Sequence, residues 1–444
     1  MSTQPAIVAK FGGTSVATAA QLRKVKAIID ANPQRRLIVP SAPGKAHPKD
    51  TKVTDLLLLC WQLAKEHQDI SPQWNQVRDR FLGIAKELGL SLSLDTVLAE
   101  VRTRIDAGTT RDYVASRGEA IHGHIVAALL DAEYVDAAEV IFFNRGGRLD
   151  EAKTYAAIAK RCADPARRYV IPGFYGIAPS GEIKTFSRGG SDVTGAVVAA
   201  AAKAALYENW TDVSGVLMTD PRIIPEARTI AEITYSELRE LAYMGASVLH
   251  EEAVFPASKA KIPINIRNTN RPEDPGTFIM PARDPGEQVV VGIAGTKGFT
   301  VIALEKALMN NEVGFGRVVM EVLARANISY EHVPTGVDTM SVVVSDKQLV
   351  DEDGISKLDS VVEDLTNIIK PDVIKVLPGM ALIATVGQGM NHAIGTAAKL
   401  CTALAEARVN IRMIDQGSSE QNIIIGVEEA DLAKAIRAIY DVFA

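Results

Sequence analysis

Lys10-Phe-Gly-Gly-Thr-Ser15 follows a β-rich run and precedes a helical pattern. Consecutive glycines let backbone N–H groups approach an anion closely, and the start of the helix behind them favours negative charge. With Lys10 beside them, Gly12, Gly13, Thr14 and Ser15 have the outline of a phosphate cradle; the plainer alternative is a tight turn with a solvent lysine. A second loop, Ser187-Arg-Gly-Gly-Ser-Asp192, stands before the apolar helical run Val193 to Ala205, with Ser191 or Asp192 a natural N-cap. Two glycine loops, carrying Lys10 and Arg188, fit a polyphosphate better than two coincidental turns. The G-x-x-x-x-G-K-[ST] pattern is absent and G-x-G-x-x-G does not follow the first strand, so neither the P-loop nor the dinucleotide fingerprint applies. No H-R-D or D-F-G set marks a protein kinase.

Three further groups carry polar chemistry. Ser116-Arg-Gly-Glu119 lies in a long helical stretch, where such charges ordinarily form a solvated face. Trp210-Thr-Asp-Val-Ser-Gly215 and Thr219-Asp-Pro-Arg222 flank the apolar run Val216-Leu-Met218 with strand-end and turn residues, and loops at the C-terminal ends of strands are where open α/β sheets bind ligands. His122 and His124, two apart in a helical stretch, point in different directions, and no metal site is read from the seven histidines.

The elements that must position these groups alternate through the first 280 or so residues, the pattern of an α/β domain with a mainly parallel sheet. Strands are predicted at Ala6–Lys10, Arg36–Pro40, Ala138–Phe143 and Tyr169–Gly173. Helices are predicted at Ala17–Ala31, Thr54–Gln68, Leu94–Ala107 and Tyr113–Leu130. Pro272, Pro275, Pro281 and Pro285 set among charged residues mark a boundary, giving a first domain of residues 1–285. Beyond it the chain repeats at an offset of 81 residues: Thr300–Glu305 lies over Ala381–Val386, Gly314 over Gly395, and Val342–Val344 over Ile423–Ile425. The copies span 299–378 and 380–444. The second lacks a last strand, which the surplus run Gln288–Ile293 is predicted to supply, interlocking the two small modules.

Composition bounds the rest. A chain of 444 residues can bury a large core, and 48 Lys+Arg against 54 Asp+Glu with no long basic run argues against a nucleic-acid binder. Apolar stretches fall far short of the roughly 18 residues of a membrane span. Cys60, Cys162 and Cys401 are too scattered for a disulfide framework, and the N-terminus carries no export signal, so a cytoplasmic location is expected.

Taken together, the motifs resemble those of the aspartate kinases, of the amino acid kinase fold with two C-terminal ACT modules. Lys10–Ser15, Arg188–Asp192 and Thr211-Asp212 through Asp220-Pro-Arg222 are similar to the family's ordered motifs, and Ser41-Ala-Pro-Gly-Lys45, Val53-Thr-Asp55 and Ile264–Thr269 also match. The resemblance runs through nearly the whole chain. It implies a three-layer kinase domain followed by two ferredoxin-like modules, with no homoserine dehydrogenase segment expected after them. It implies phosphoryl transfer from MgATP to the side-chain carboxylate of aspartate.

By the same resemblance Lys10 neutralises the β- and γ-phosphates, and Asp192 organises either the metal-phosphate end or the lysine. Arg188 grips the substrate α-carboxylate, Glu119 its ammonium, and Ser41 and Thr54 give hydroxyl contacts. Gly12, Gly13, Thr14, Ser15, Gly189, Gly190, Thr211, Asp212, Leu217, Arg222, Ser247 and Val248 are expected at the nucleotide. Many relatives have Tyr in place of Leu217, Asp in place of Ser214 and Lys in place of Ser247, so a different adenine side is expected. Feedback by lysine, with threonine as second choice, is expected at Met309, Asn311, Gly314, Phe315, Tyr330, Glu331, Thr335 and Gly336 of the first copy, where Glu331 suits a cationic side chain. Homodimers or larger assemblies through these modules are implied. The competing readings are a kinase of another small acid, such as acetylglutamate or carbamate, and a regulatory protein that only binds amino acids.

Overall fold

Ile7-Val-Ala-Lys-Phe11 forms a central strand of an eight-stranded sheet, and four of its five residues are apolar because a parallel strand is covered on both faces. The computed structural model describes residues 5–187, 189–246, 249, 251–286, 288–351 and 353–444. The strand order is Glu133–Tyr134, Tyr169–Val170, Arg35–Pro40, Ile7–Phe11, Leu206–Thr211, Ile264–Asn268, Thr277–Met280 and Glu232–Thr234. Among the described residues of this sheet, only the Ile264–Asn268 and Thr277–Met280 pair is antiparallel.

Side chains alternate across this sheet. Ala9, Phe11 and Trp210 join the core built with the helices Ala19–Asp30, Val53–Lys65, Ser71–Glu87, Asp95–Asp106 and Arg111–Leu130. Lys10, Tyr207 and Asn209 therefore share the opposite face, where Tyr207 Oη donates to the carbonyl of Asp192 in the helix Gly190–Ala202 at 3.1 Å. Helix Ala19–Asp30 starts where Thr18 accepts a hydrogen bond from the Gln21 N–H at 3.2 Å. Of the predicted strand Ala138–Phe143, residues 138–140 belong to a one-turn helix, Ala137–Val140, while Phe142 and Phe143 form single β-bridges to Ile177 and Leu149. Asp136 nucleates the helix by accepting from the Ala138 N–H at 2.9 Å, and a side-chain cap of this kind overrides the short apolar run.

The chain divides into two compact units. The first holds Met1–Val216, Thr229–Leu238 and Ser247–Arg283; the second holds Leu217–Arg228, Arg239–Ala246 and Asp284–Ala444. In the second, an antiparallel sheet runs Thr339–Ser345, Gly292–Glu305, Val373–Val386, Asn422–Glu428 and Met413–Asp415. Two of these strands are 14 residues long. Residues 292–297 pair with 381–386, and 299–305 pair with 373–380 as well as with 339–345. The register shifts at Gly298, whose φ of +89° lies in the left-handed region, so one strand serves two directions.

The run Gln288–Ile293 enters that strand only at Gly292. Ahead of it Val291 N–H donates to the Val386 carbonyl at 2.7 Å, and Val289 lies against the turn at Gly387, where a Cβ would stand 2.1 Å from the Val289 carbonyl oxygen. The helices Phe315–Arg325 and Leu358–Ile369 bury Val319, Leu323, Val361 and Leu365 against Ile302, Val342 and Val344.

Candidate functional site

Lys10 is 6 % exposed, and an ammonium buried in a sheet needs compensation. It donates to Asp192 Oδ1 at 2.6 Å. Asn209, aligned with Lys10 on the neighbouring strand, presents Oδ1 to the same ammonium at 3.4 Å and donates from Nδ2 to Asp192 Oδ1 at 2.7 Å. Asp192 lies in the first turn of its helix, where the dipole favours a carboxylate. Two glycines set its approach: Gly189 at φ +72° and Gly190 at φ +44° turn the chain through conformations that other residues adopt at a cost.

The first glycine loop and the Ser41–Lys45 loop lie against one another. Gly44 N–H donates to the Gly13 carbonyl at 2.8 Å, and a Cβ on Gly44 would stand 2.6 Å from the Gly13 carbonyl carbon. Gly12 spends its N–H on the Trp210 carbonyl at 2.9 Å. The turn Gly13–Val16 that follows leaves its first N–H groups, those of Gly13 and Thr14, without helical partners. Ser15 is buried and accepts from Thr269 Oγ1 at 2.8 Å, so its hydroxyl ties the loop to the end of the strand Ile264–Asn268.

From Asp192 the contacts run on toward Glu119. Ser191, the residue beside it, takes a hydrogen bond from Ser41 Oγ at 2.9 Å. The next residue, Ala42, turns its N–H toward the Glu119 carboxylate, whose Oε2 has no partner among the described residues. Burial pushes the Glu119 carboxyl up to about 8, against the smaller opposing pull of the Ala42 N–H and the Arg117 charge. Its helix, Arg111–Leu130, is buried over most of its surface, which is why a carboxyl there faces the interior and not water. Thr54, second residue of the helix Val53–Lys65, is half-buried.

The structure thus joins Lys10, Asp192, Ser41 and Glu119 in one linked set within the first unit. Thr211 and Asp212 stand at the end of the strand beside Asn209, with the Thr211 hydroxyl donating to Asp212 at 3.2 Å. Leu217 and Arg222 group with the second unit, where Arg222 is exposed and pairs with Asp220 at 2.6 Å. Arg188, Ser247 and Val248 lie outside the described residues. Sequence reasoning missed Asn209. Its signal was a polar triplet, Glu208-Asn-Trp210, preceding the Thr211-Asp212 motif in a strand that must be buried on both faces.

In the second unit the loop before Gly314 lies along the segment ending at Asp338. Leu308 N–H donates to Asp338 Oδ1 at 2.8 Å and Asn310 N–H to the Val337 carbonyl at 3.2 Å. Met309 and Phe315 are buried, Gly314 is left-handed at φ +88°, and Asn311 closes the turn between them. Tyr330 is half-exposed and Thr335 bridges to Met340. Gly336 N–H donates to the Thr339 carbonyl at 2.7 Å. The Glu331 carboxylate accepts a hydrogen bond from the Tyr243 hydroxyl.

The buried Lys10–Asp192 pair stands between two glycine loops, and relatives give the chain a family. Residues 5–268 match the amino acid kinase family and residues 383–443 an ACT domain. Aspartokinase 3 of Bacillus subtilis is 38 % identical over 449 residues, which span 98 % of this chain and 98 % of that one. The chain belongs to the aspartokinase family. The crystal structure of the Clostridium acetobutylicum aspartate kinase superposes with a TM-score of 0.90 at 49 % identity, covering 99 % of this chain and all (100 %) of that one. Aspartokinase III of Escherichia coli, in complex with aspartate and ADP, superposes at a TM-score of 0.72 with 25 % identity, covering 98 % of this chain and 99 % of that one. The same enzyme in complex with lysine and aspartate, in its T-state, gives 0.72 at 26 %, with 99 % and 100 % covered. Among the described residues no helix is long and apolar enough to cross a membrane.

Proposed function

We propose that this aspartokinase transfers the γ-phosphoryl group of ATP to the side-chain carboxylate of L-aspartate, and that the linked set from Lys10 to Glu119 performs the transfer. The observation that carries the reading is the buried Lys10–Asp192 pair at 2.6 Å, joined through Ser191 and Ser41 to a buried, partly unpartnered Glu119. A carboxylate with an ordinary pKa near 3.9 is already ionised at neutral pH, so the nucleophile needs no general base. What the site must supply is orientation and positive charge where two anions meet.

In this reading Lys10 turns from Asp192 toward the β- and γ-phosphates, and the N–H groups of Gly13 and Thr14 add donors, Gly12 being committed to Trp210. Asp192 and Asn209 hold the ammonium in place before the nucleotide arrives. Glu119 takes the substrate ammonium, Arg188 its α-carboxylate, and Ser41 and Thr54 give hydroxyl contacts. Gly189, Gly190, Thr211, Asp212, Leu217, Arg222, Ser247 and Val248 serve the nucleotide side. Magnesium accompanies ATP. Asp192 is the carboxylate of the set suited to it, because it stands 2.6 Å from Lys10 at the phosphate end. The ion would neutralise charge on the transferring phosphate.

Control belongs to the C-terminal modules, at 299–378 and 380–444, with residues 292–297 adding a strand to the second. Lysine, with threonine second, is the proposed effector, with Glu331 taking the cationic side chain. The lysine complex of the E. coli relative supports that choice. Pairing of two chains through these modules is part of the same proposal. The test is ATP consumption with aspartate, acetylglutamate, glutamate and carbamate in parallel. Turnover with aspartate alone is expected; turnover only with another acid, or with none, would overturn the reading.

A further inference from the structure

His122 stands one helical turn beyond Glu119, so the two side chains emerge from the same face of the helix Arg111–Leu130. It is 0 % exposed, packed beside the Phe81 ring at 6.3 Å between centroids. Its Nδ1 lies 2.8 Å from the Ser41 carbonyl oxygen. A carbonyl only accepts, so Nδ1 carries the proton and the ring is the Nδ1–H tautomer. The other nitrogen, Nε2, is buried with no partner among the described residues. A second proton there would create an unpaired buried charge, and burial holds the imidazolium down to about 4.

The Ser41 carbonyl and the Ala42 N–H belong to one peptide group. His122 holds its oxygen, and its N–H faces Glu119. A peptide group is planar, so orienting it places the Ser41 Cα, and with the Ser41 N–H held by the Phe11 carbonyl at 3.1 Å the residue is anchored on both sides while its hydroxyl reaches Ser191. We propose that His122 is a positioning residue for aspartate: as a neutral Nδ1–H donor it clamps the Ser41–Ala42 peptide against Glu119 and so sets the substrate-binding hydroxyl. The inference rests on the reading in which Ser41 and Glu119 receive the amino acid. It assigns a role to a histidine whose sequence context gave none, because neither a metal nor a proton transfer is involved.

Steady-state kinetics of three substitutions test it. His122→Asn keeps a donor near the Nδ1 position, His122→Gln moves the donor to the Nε2 position, and His122→Leu removes it. The Gln and Leu variants are expected to raise the aspartate KM about tenfold, the effect of one lost buried hydrogen bond, with the ATP KM unchanged. The Asn variant is expected to restore the wild-type value. Should the Leu variant fail to fold, the Asn and Gln pair decides, and equal aspartate KM values in those two overturn the proposal. So does a parallel rise of both KM values, which would mark a general loss of packing. Glu119→Gln, measured alongside, separates the two readings: a raised aspartate KM there with silent His122 variants sinks the clamp alone. An unchanged KM in all four sinks the site assignment beneath it.

Discussion

Glu119 gives the sharpest physical expectation, because burial pushes its carboxyl up to about 8. Moving it there from its usual 4.5 corresponds to about 5 kcal/mol against the anion, an order-of-magnitude figure set by desolvation. Between pH 4.5 and 8 the folded protein therefore holds a proton that the unfolded chain has released. Stability from this group is fully present below 4.5 and falls as pH rises, by up to about 1.4 kcal/mol per pH unit, until the folded carboxyl ionises. Glu119→Gln is neutral at every pH and removes that slope. Its melting temperature should fall less between pH 5 and 8 than the wild type's. With Glu119 assigned to the substrate ammonium, the substrate reverses the balance: an ammonium against the carboxyl favours the anion, so aspartate binding below pH 8 would expel the proton. The logarithm of kcat/KM for aspartate should climb with a slope near one up to about pH 8 and then level. In Glu119→Gln it should be flat and lower by about ten- to a hundredfold, the worth of a charged hydrogen bond. Identical pH slopes of melting in the two proteins would refute the buried-acid argument. A flat wild-type kinetic profile would refute the assignment to the ammonium.

Two further outcomes are expected. Lys10→Ala and Asp192→Ala should each lower kcat about a hundredfold or more at saturating MgATP, as loss of transition-state charge stabilisation does, while circular dichroism stays native; near-normal turnover in either would remove it from the site. Lysine should inhibit the wild type, Glu331→Ala and Thr335→Ile should relieve that inhibition with uninhibited turnover intact, and Tyr243→Phe should strengthen it about tenfold by freeing the Glu331 carboxylate; indifference of the wild type to millimolar lysine and threonine would leave the modules without that effector.

What the sequence made legible follows from what kind of signal each residue leaves. Glycine loops before helices are readable because backbone geometry demands glycine there, and Gly13, Gly44, Gly189 and Gly190 stand where that demand is met. The repeat at 81 residues was visible because two copies of one core must bury equivalent positions. The continuous strand Gly292–Glu305 was not, since a bend at one glycine looks like a break between two short strands. Asn209 escaped for a different reason. Its neighbours Glu208 and Trp210 turn to the opposite sheet face, where Glu208 pairs with Arg35 at 2.7 Å and accepts from the Trp210 ring N–H at 2.9 Å. A triplet split between two faces carries no single motif. His122 escaped because its partner is a carbonyl, and backbone atoms have no letter in a sequence.

The charges of the resting set suggest how the chemistry is timed. Lys10 is matched by Asp192, and Glu119 holds its proton, so the linked set is close to neutral before substrate arrives. A permanently ionised Glu119 would add a second negative charge to a site that must receive a carboxylate and a triphosphate. Keeping that carboxyl neutral until an ammonium meets it makes its charge conditional on the correct ligand. An acid without an ammonium gains nothing from Glu119 and finds Lys10 still held by Asp192 and Asn209. With Glu119 assigned to the substrate ammonium, the desolvation of one buried carboxyl would by itself discriminate against such acids.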